Sequence, residues 1–260
     1  MILEKLLDAL EDFCPLSYAE KWDNCGLQAG RFDKEVKKVY IALDATGEVI
    51  EKAKEKGADL ILTHHPLLFD GIKHVTDRDF TGKRILEIIR SDMALYAMHT
   101  NFDVAAMADA AADLLCMQEQ DILMVTGEDG RGPHGIGKTG RAPVPMTLRE
   151  TAEAVKKAFR IPRVRFYGDP DAETKVWAVL PGSGKGEIDL ALAAGADVMI
   201  TGDINHHAGI DAVEKGIAVI DAGHYGVEKL FVPYMAGWLK DRFPDLEVFL
   251  QEEKEYFTEV

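Results

Sequence analysis

The sequence predicts an α/β protein of three-layer α/β/α architecture with mixed sheets, formed as two similar lobes by internal duplication. Two observations carry this. Short apolar runs alternate with amphipathic segments nearly throughout, the pattern of βαβ units. In addition, Gly57-Ala-Asp-Leu-Ile-Leu-Thr63 recurs as Gly195-Ala-Asp-Val-Met-Ile-Thr201 at an offset of 138, and Val39-Tyr-Ile-Ala-Leu43 as Val176-Trp-Ala-Val-Leu180 at an offset of 137.

Taken in order, Leu3, Leu6, Leu7, Leu10 and Phe13 share one face of an N-terminal helix, with acids opposite. Strand 38–44 (KVYIALD), helix 47–56, strand 58–63 (ADLILT), helix 81–91, strand 93–98 (MALYAM) and helix 104–115 follow. Apolar strands between amphipathic helices imply a largely parallel sheet covered on both faces. Residues 127–146, GEDGRGPHGIGKTGRAPVPM, are rich in Gly and Pro and read as a linker or an irregular crossover. Thr147-Leu-Arg-Glu150 is a capping box that opens a helix to about Arg160. Strands near 163–168 and 175–180, helix 187–194, strand 196–201, helix 205–215, strand 217–222, a long helix from about 225 to 242 and a last strand near 246–250 complete the chain. The expected organisation is a first lobe over 1–126, a linker over 127–146 and a second lobe over 147–260.

With 260 residues, 47% of them apolar, the chain can bury a substantial core. No apolar run approaches the ~20 residues that cross a bilayer, and the amphipathic N-terminus is not a signal peptide, so a cytoplasmic protein with no membrane partner is expected. Three cysteines without a C-x-x-C pair argue against a disulfide framework and a thiolate zinc knuckle. A formal charge of −15 repels phosphate backbones and disfavours nucleic acid as a partner.

Chemistry-bearing residues gather just past the strands, where open α/β sheets bind ligands. They are His64 and His65; His99 and Asp103 in HTNFD; Asp203, His206 and His207 in TGDINHH; and His224 and Glu228 in GHYGVE. Imidazole and carboxylate without thiolate suit zinc, iron, manganese or nickel, and the set exceeds what one ion needs. Each residue also has a plainer reading. His64 and His65 read equally as one core and one exposed histidine, His224 and Glu228 as an ordinary i, i+4 pair, and Asp103 as the N-cap of helix 104–115. His99 reads equally as a core histidine, and His206 and His207 as solvated residues of a first helical turn. Pro181-Gly-Ser-Gly-Lys-Gly186, between a strand and a helix, reads either as an anion-binding turn or as a flexible connection.

Together, WDNCGLQAG (22–30), LTHHPLLF (62–69), HTNFD (99–103), PGSGKG (181–186), ITGDINHH (200–207) and GHYGVE (223–228) resemble, in order, the motifs of the Ngg-one-interacting-factor-three-like family, whose members are called type 2 GTP cyclohydrolase I. The resemblance spans about residues 2 to 250. It implies a duplicated α/β fold and two divalent metal ions per subunit, held by His64, His65, Asp103, His224 and Glu228. It leaves His99, Asn24, His206, His207 and Lys185 as substrate or supporting residues. It further implies a ring-like homohexamer built from dimers and a metal-dependent hydrolase acting on a nucleotide through an activated water, with a non-catalytic metal-binding or adapter protein as the alternative. Where many relatives have threonine before the glutamate, this chain has Val227, which removes one hydroxyl and no ligand.

Overall fold

A computed structural model describes residues 1–254 and Phe257. The chain forms two compact units, one of Met1–Phe102 with Phe231 onward, the other of Asp103–Leu230.

The first unit holds helix α1 (Leu3–Phe13), strands β1 (Gly26–Ala29) and β2 (Lys38–Ala42), helix α2 (Gly47–Glu55), β3 (Leu60–Thr63), α3 (Phe80–Arg90), β4 (Ala94–Ala97) and the short α4 (Thr100–Phe102). Its five-stranded sheet has the order β1-β4-β3-β2-β11, where β11 is Glu247–Leu250. All neighbours are parallel except β1, which pairs antiparallel with β4. Tyr40, Ala42, Ile61 and Leu95 point to one face and pack with Val49, Ile50 and Ala53 of α2 and Ile88 of α3. The alternate residues face the other way, where the Tyr96 hydroxyl reaches Glu11 of α1. As predicted, α1 buries Leu3, Leu6, Leu7 and Leu10.

The second unit contains a π-helical turn (Asp103–Met107), α5 (Ala108–Leu114), β5 (Gln118–Asp129), β6 (Gly132–Thr147), α6 (Leu148–Ala158), β7 (Arg165–Tyr167), β8 (Glu173–Ser183), α7 (Ile188–Ala193), β9 (Val198–Gly202), α8 (His206–Lys215), β10 (Ala218–Asp221) and α9 (His224–Glu228). Its six strands run β5-β6-β8-β9-β10-β7, with β8, β9 and β10 parallel. Trp177, Val179, Val198, Ile200 and Ile220 pack on one face with α5 and α6, while Ala178, Leu180, Met199 and Val219 pack on the other with α7 and α8. Helices on both faces of one sheet make the predicted three layers. The capping box at Thr147 and Glu150 is present.

The repeat is visible in hydrogen bonds as well as in letters. Asp59 Oδ2 accepts from Lys37 N and Lys38 N at 2.8 and 3.0 Å, and Asp197 Oδ2 accepts from Lys175 N and Val176 N at 2.7 and 2.8 Å. Val39 pairs with Leu60, and Trp177 with Val198. Every one of these equivalences lies at 138 residues, which corrects the offset of 137 read for the first strand.

Three further expectations are corrected. Residues 127–146 are not irregular, because they lie in the β5–β6 hairpin, turning at Gly130-Arg131. Their glycines permit close strand approach: a Cβ on Gly135 would meet Met124 O at 1.9 Å, and one on Gly140 would meet Gln118 O at 2.7 Å. Pro143 and Pro145 fall where the β6–β8 register shifts and no ladder bond is lost. The long helix over 225–242 is two, α9 and α10 (Phe231–Arg242), because Pro233 lacks an N–H and its ring opposes the carbonyl of Lys229. The last strand, expected in the second lobe, is β11 of the first sheet, where it covers the edge of β2.

The shared bracing yields a test. Asp59→Ala and Asp197→Ala each remove a charged acceptor from two strand-entry amides, so each lowers unfolding free energy by about 1–3 kcal/mol in urea titrations. A cost below about 0.5 kcal/mol for either would contradict the bracing role.

Candidate metal centre

In the first unit, His64 and His65 follow β3 at the carboxyl edge of the parallel strands. His65 N donates to Leu43 O and the Thr63 hydroxyl donates to the His65 carbonyl, both at 2.9 Å, so the chain turns before Pro66 with the two rings 5.0 Å apart. His64, His65 and His99 each bring a ring nitrogen to within 4.8 Å of the others.

The partners of these rings decide which nitrogen faces inward. His64, fully buried, donates from Nδ1 to the Met98 carbonyl at 2.7 Å. Nδ1 of His65 donates to Asp44 Oδ1 at 2.8 Å, and Nδ1 of His99 to Asp23 Oδ1 at 2.9 Å. Carbonyls and carboxylates only accept, so each Nδ1 carries a proton and, in the neutral ring, each Nε2 the lone pair, the division found in metal-binding histidines.

Asp23 has no exposed side-chain surface. Besides His99 it accepts from the Thr100 amide at 3.0 Å, the Thr100 hydroxyl at 2.5 Å and the Cys25 thiol at 3.1 Å. Burial pushes its carboxyl up, and the bonds from His99 and Thr100 outweigh burial and hold it well below the usual carboxylate range. Asn24 donates from Nδ2 to Leu68 O at 2.6 Å, and Gln28 Oε1 accepts from the amides of Leu67 and Leu68. The WDNCGLQAG segment thus braces the loop that follows the two histidines. The rings of Trp22, 63% exposed, and Phe69, 47% exposed, lie edge-on to His99 at 5.9 and 5.6 Å.

In the second unit, His224 and Glu228 begin and end α9 and meet at 2.9 Å between Nε2 and Oε2. His224 Nδ1 donates to Asp203 Oδ2 at 2.8 Å. A ring whose proton is at Nδ1 presents a lone pair to the Glu228 carboxylate, and a second proton or a cation relieves that contact. Glu228 is 2% exposed, and Gly182 makes its room: a Cβ there would stand 2.7 Å from Glu228 Oε1. A Cβ on Gly184 would meet Thr201 Oγ1 at 2.5 Å. Two glycines of PGSGKG therefore serve close packing, and its first three residues belong to β8.

Asp103 is half-buried at the head of the π-helical turn, inside helical backbone, so it is not the N-cap its sequence position suggested. Single π turns recur at functional sites. His206, His207 and Lys185 are exposed, and Asn205 rather than a histidine caps α8. Reading the sequence did not single out Asp23 and Asp44. The one signal available was Asp44 at the end of the strand read over 38–44, and nothing local marked Asp23.

The donors fit a divalent cation. Three ring nitrogens converge in the first unit and a ring nitrogen with a carboxylate in the second, and the nearby Cys25 spends its proton on Asp23 instead of offering a thiolate. Burial, with the neighbouring Asp23 charge, pushes the Cys25 thiol up to about 12. The thiol therefore stays protonated at pH 8, and in the folded protein Cys25 is alkylated at least about tenfold more slowly than exposed Cys116. Equal rates by mass-spectrometric mapping would contradict this environment.

Comparison with known proteins agrees with the fold. The Duf34/NIF3 (NGG1p interacting factor 3) family model matches residues 1–255. A GTP cyclohydrolase 1 type 2 homolog from Clostridium acetobutylicum is 37% identical over 228 residues, 87% of this chain and 85% of that protein. One from Methanocaldococcus jannaschii is 36% identical over 256 residues, 95% and 98% of the two chains. Among solved structures, the Staphylococcus aureus hypothetical protein SA1388 superposes with a TM-score of 0.91 at 30% identity over 100% of this chain and 99% of its own. Reduced HcgD from Methanocaldococcus jannaschii gives 0.83 at 32% identity over 97% and 98%. The chain belongs to the Duf34/NIF3 family.

Proposed function

We propose that this chain is a cytoplasmic, metal-dependent hydrolase of the GTP cyclohydrolase 1 type 2 kind that holds two divalent ions through His64, His65, Asp103, His224 and Glu228 and assembles as a homohexamer built from dimers. The observation that supports it most is common to four histidines: His64, His65, His99 and His224 each have Nδ1 bound to an acceptor, which leaves Nε2 as the donor atom. The ligand set and the ring assembly rest on the family resemblance, and the reaction class on the name that relatives carry.

Divalent ions held by these five residues would supply Lewis-acid activation of a water. The chain's own residues supply position and proton handling. Asp44 and Asp203 orient His65 and His224, and Gly182 gives Glu228 its place. His99, tied at Nδ1 to Asp23, can take and return a proton at Nε2. The exposed Lys185, His206 and His207 offer positive or hydrogen-bonding groups to a triphosphate. Opening the ring of GTP requires attack at the purine C8, so the test follows the purine absorbance.

Elemental analysis of purified protein is expected to find about two divalent ions per chain, falling on His64→Ala. Metal-restored protein is expected to change the purine spectrum of GTP, and a metal-loaded protein that leaves it unchanged is a metal-binding protein of another kind. Gly182→Ala, which drives a methyl against Glu228, weakens metal affinity by about 10–100-fold, and unaltered affinity would count against Glu228 as a ligand.

A further inference from the structure

We infer that Asp221, which makes no part of the ligand set, is the positioning residue that holds His224 and Asp203 in register, as a latch on the two loops that carry them. The inference rests on the proposed role of His224 as a metal ligand.

Asp221 ends β10, and its side chain is 6% exposed. Its Oδ1 accepts from Gly223 N at 3.0 Å, and its Oδ2 accepts from Ile204 N at 3.2 Å and from Arg165 Nη2 at 2.6 Å. The same Arg165 Nη2 donates to the Ile204 carbonyl at 3.2 Å. One carboxylate thus grips the residue immediately after Asp203 and the residue immediately before His224, and its arginine grips the first of these from the other side.

Both gripped segments need holding. Asp203 stands in left-handed backbone at φ +57°, and Gly223 at φ +75°. The loops approach so closely that a Cβ on Gly202 would lie 2.6 Å from His224 N. The pair they present, His224 Nδ1 to Asp203 Oδ2 at 2.8 Å, depends on both loops at once. A buried carboxylate shared by two loop amides fixes their separation more tightly than either loop does alone. Arg165, whose side chain is 65% exposed, pairs with the buried Asp221 carboxylate at 2.6 Å.

Asp221→Asn keeps the size of the side chain but sets an amide N–H₂ against Ile204 N–H, Gly223 N–H or Arg165. Titration of the apo full-length protein with Co²⁺, read by its visible absorption, is expected to show the dissociation constant weakened by about 10–100-fold and the band shape altered, with far-UV circular dichroism unchanged. Arg165→Gln leaves both amides bonded to Asp221 and is expected to stay within about threefold of wild type. Wild-type affinity and spectrum in folded Asp221→Asn would overturn the inference, as would an equal loss in Arg165→Gln, which would assign the effect to the ion pair. Should Asp221→Asn not fold, amide hydrogen exchange of the wild type decides: slow exchange at Ile204 and Gly223, with and without Co²⁺, supports the latch, and fast exchange overturns it. His224→Ala in the same titration separates the two ideas, since unchanged Co²⁺ binding there would mean that the ligand assignment, rather than the latch, has failed.

Discussion

A neutral imidazole has one N–H and one lone pair, and whatever holds the first determines where the second can act. In this protein that choice is made by acceptors fixed in the backbone framework: the Met98 carbonyl for His64, Asp44 for His65, Asp23 for His99 and Asp203 for His224. Much of the architecture around the site serves these four bonds. Segment 22–30 supplies Asp23 and braces the loop after His65, while the carboxyl ends of β2, β3 and β4 lie side by side in the sheet order, so Asp44, His65 and Met98 come from neighbouring strand ends. A tautomer fixed in advance would remove one rearrangement from the binding of an ion by these rings.

The second unit reaches the same end through close backbone approach. Gly182, Gly184 and Gly202 sit where a methyl would collide with Glu228, Thr201 and the His224 amide respectively. Omitting side chains lets polar groups of adjacent strands and loops converge at distances that a packed aliphatic core does not allow. The cost is backbone freedom in the unfolded chain, offset by the parallel strands β8, β9 and β10 that frame these positions.

The strand letters were legible because buried parallel strands read as continuous apolar runs, and duplicated GAD-plus-strand segments stand out against a variable background. What those repeated aspartates do was not legible: Asp59 and Asp197 each serve two amides a strand away, a relation no local window contains. Glycine and proline in 127–146 suggested a break by composition, although Asp129-Gly130 carries a hairpin signal and the glycines answer to cross-strand crowding. The clustered histidines were visible as residue types at strand ends. Their supporting acids, Asp23 and Asp44, lie 76 and 21 residues from the rings they hold, so no local pattern joins them before the chain folds. The join of β11 to β2 is set by pairing across the whole chain length and left no mark in either segment.

That last pairing sets a timetable for the protein's birth. Leu43 N waits for Gln251 Oε1, a partner 208 residues downstream, and β2 stays an open edge until β11 leaves the ribosome. At roughly 5–20 residues per second, that interval is on the order of ten to forty seconds. The second unit, drawn from one uninterrupted stretch, can close its sheet within that window. The nascent first unit therefore spends its early life with a parallel strand exposed to any passing edge, a hazard for aggregation. Charged Lys37 and Lys38 at the entrance to β2 blunt that edge in the meantime.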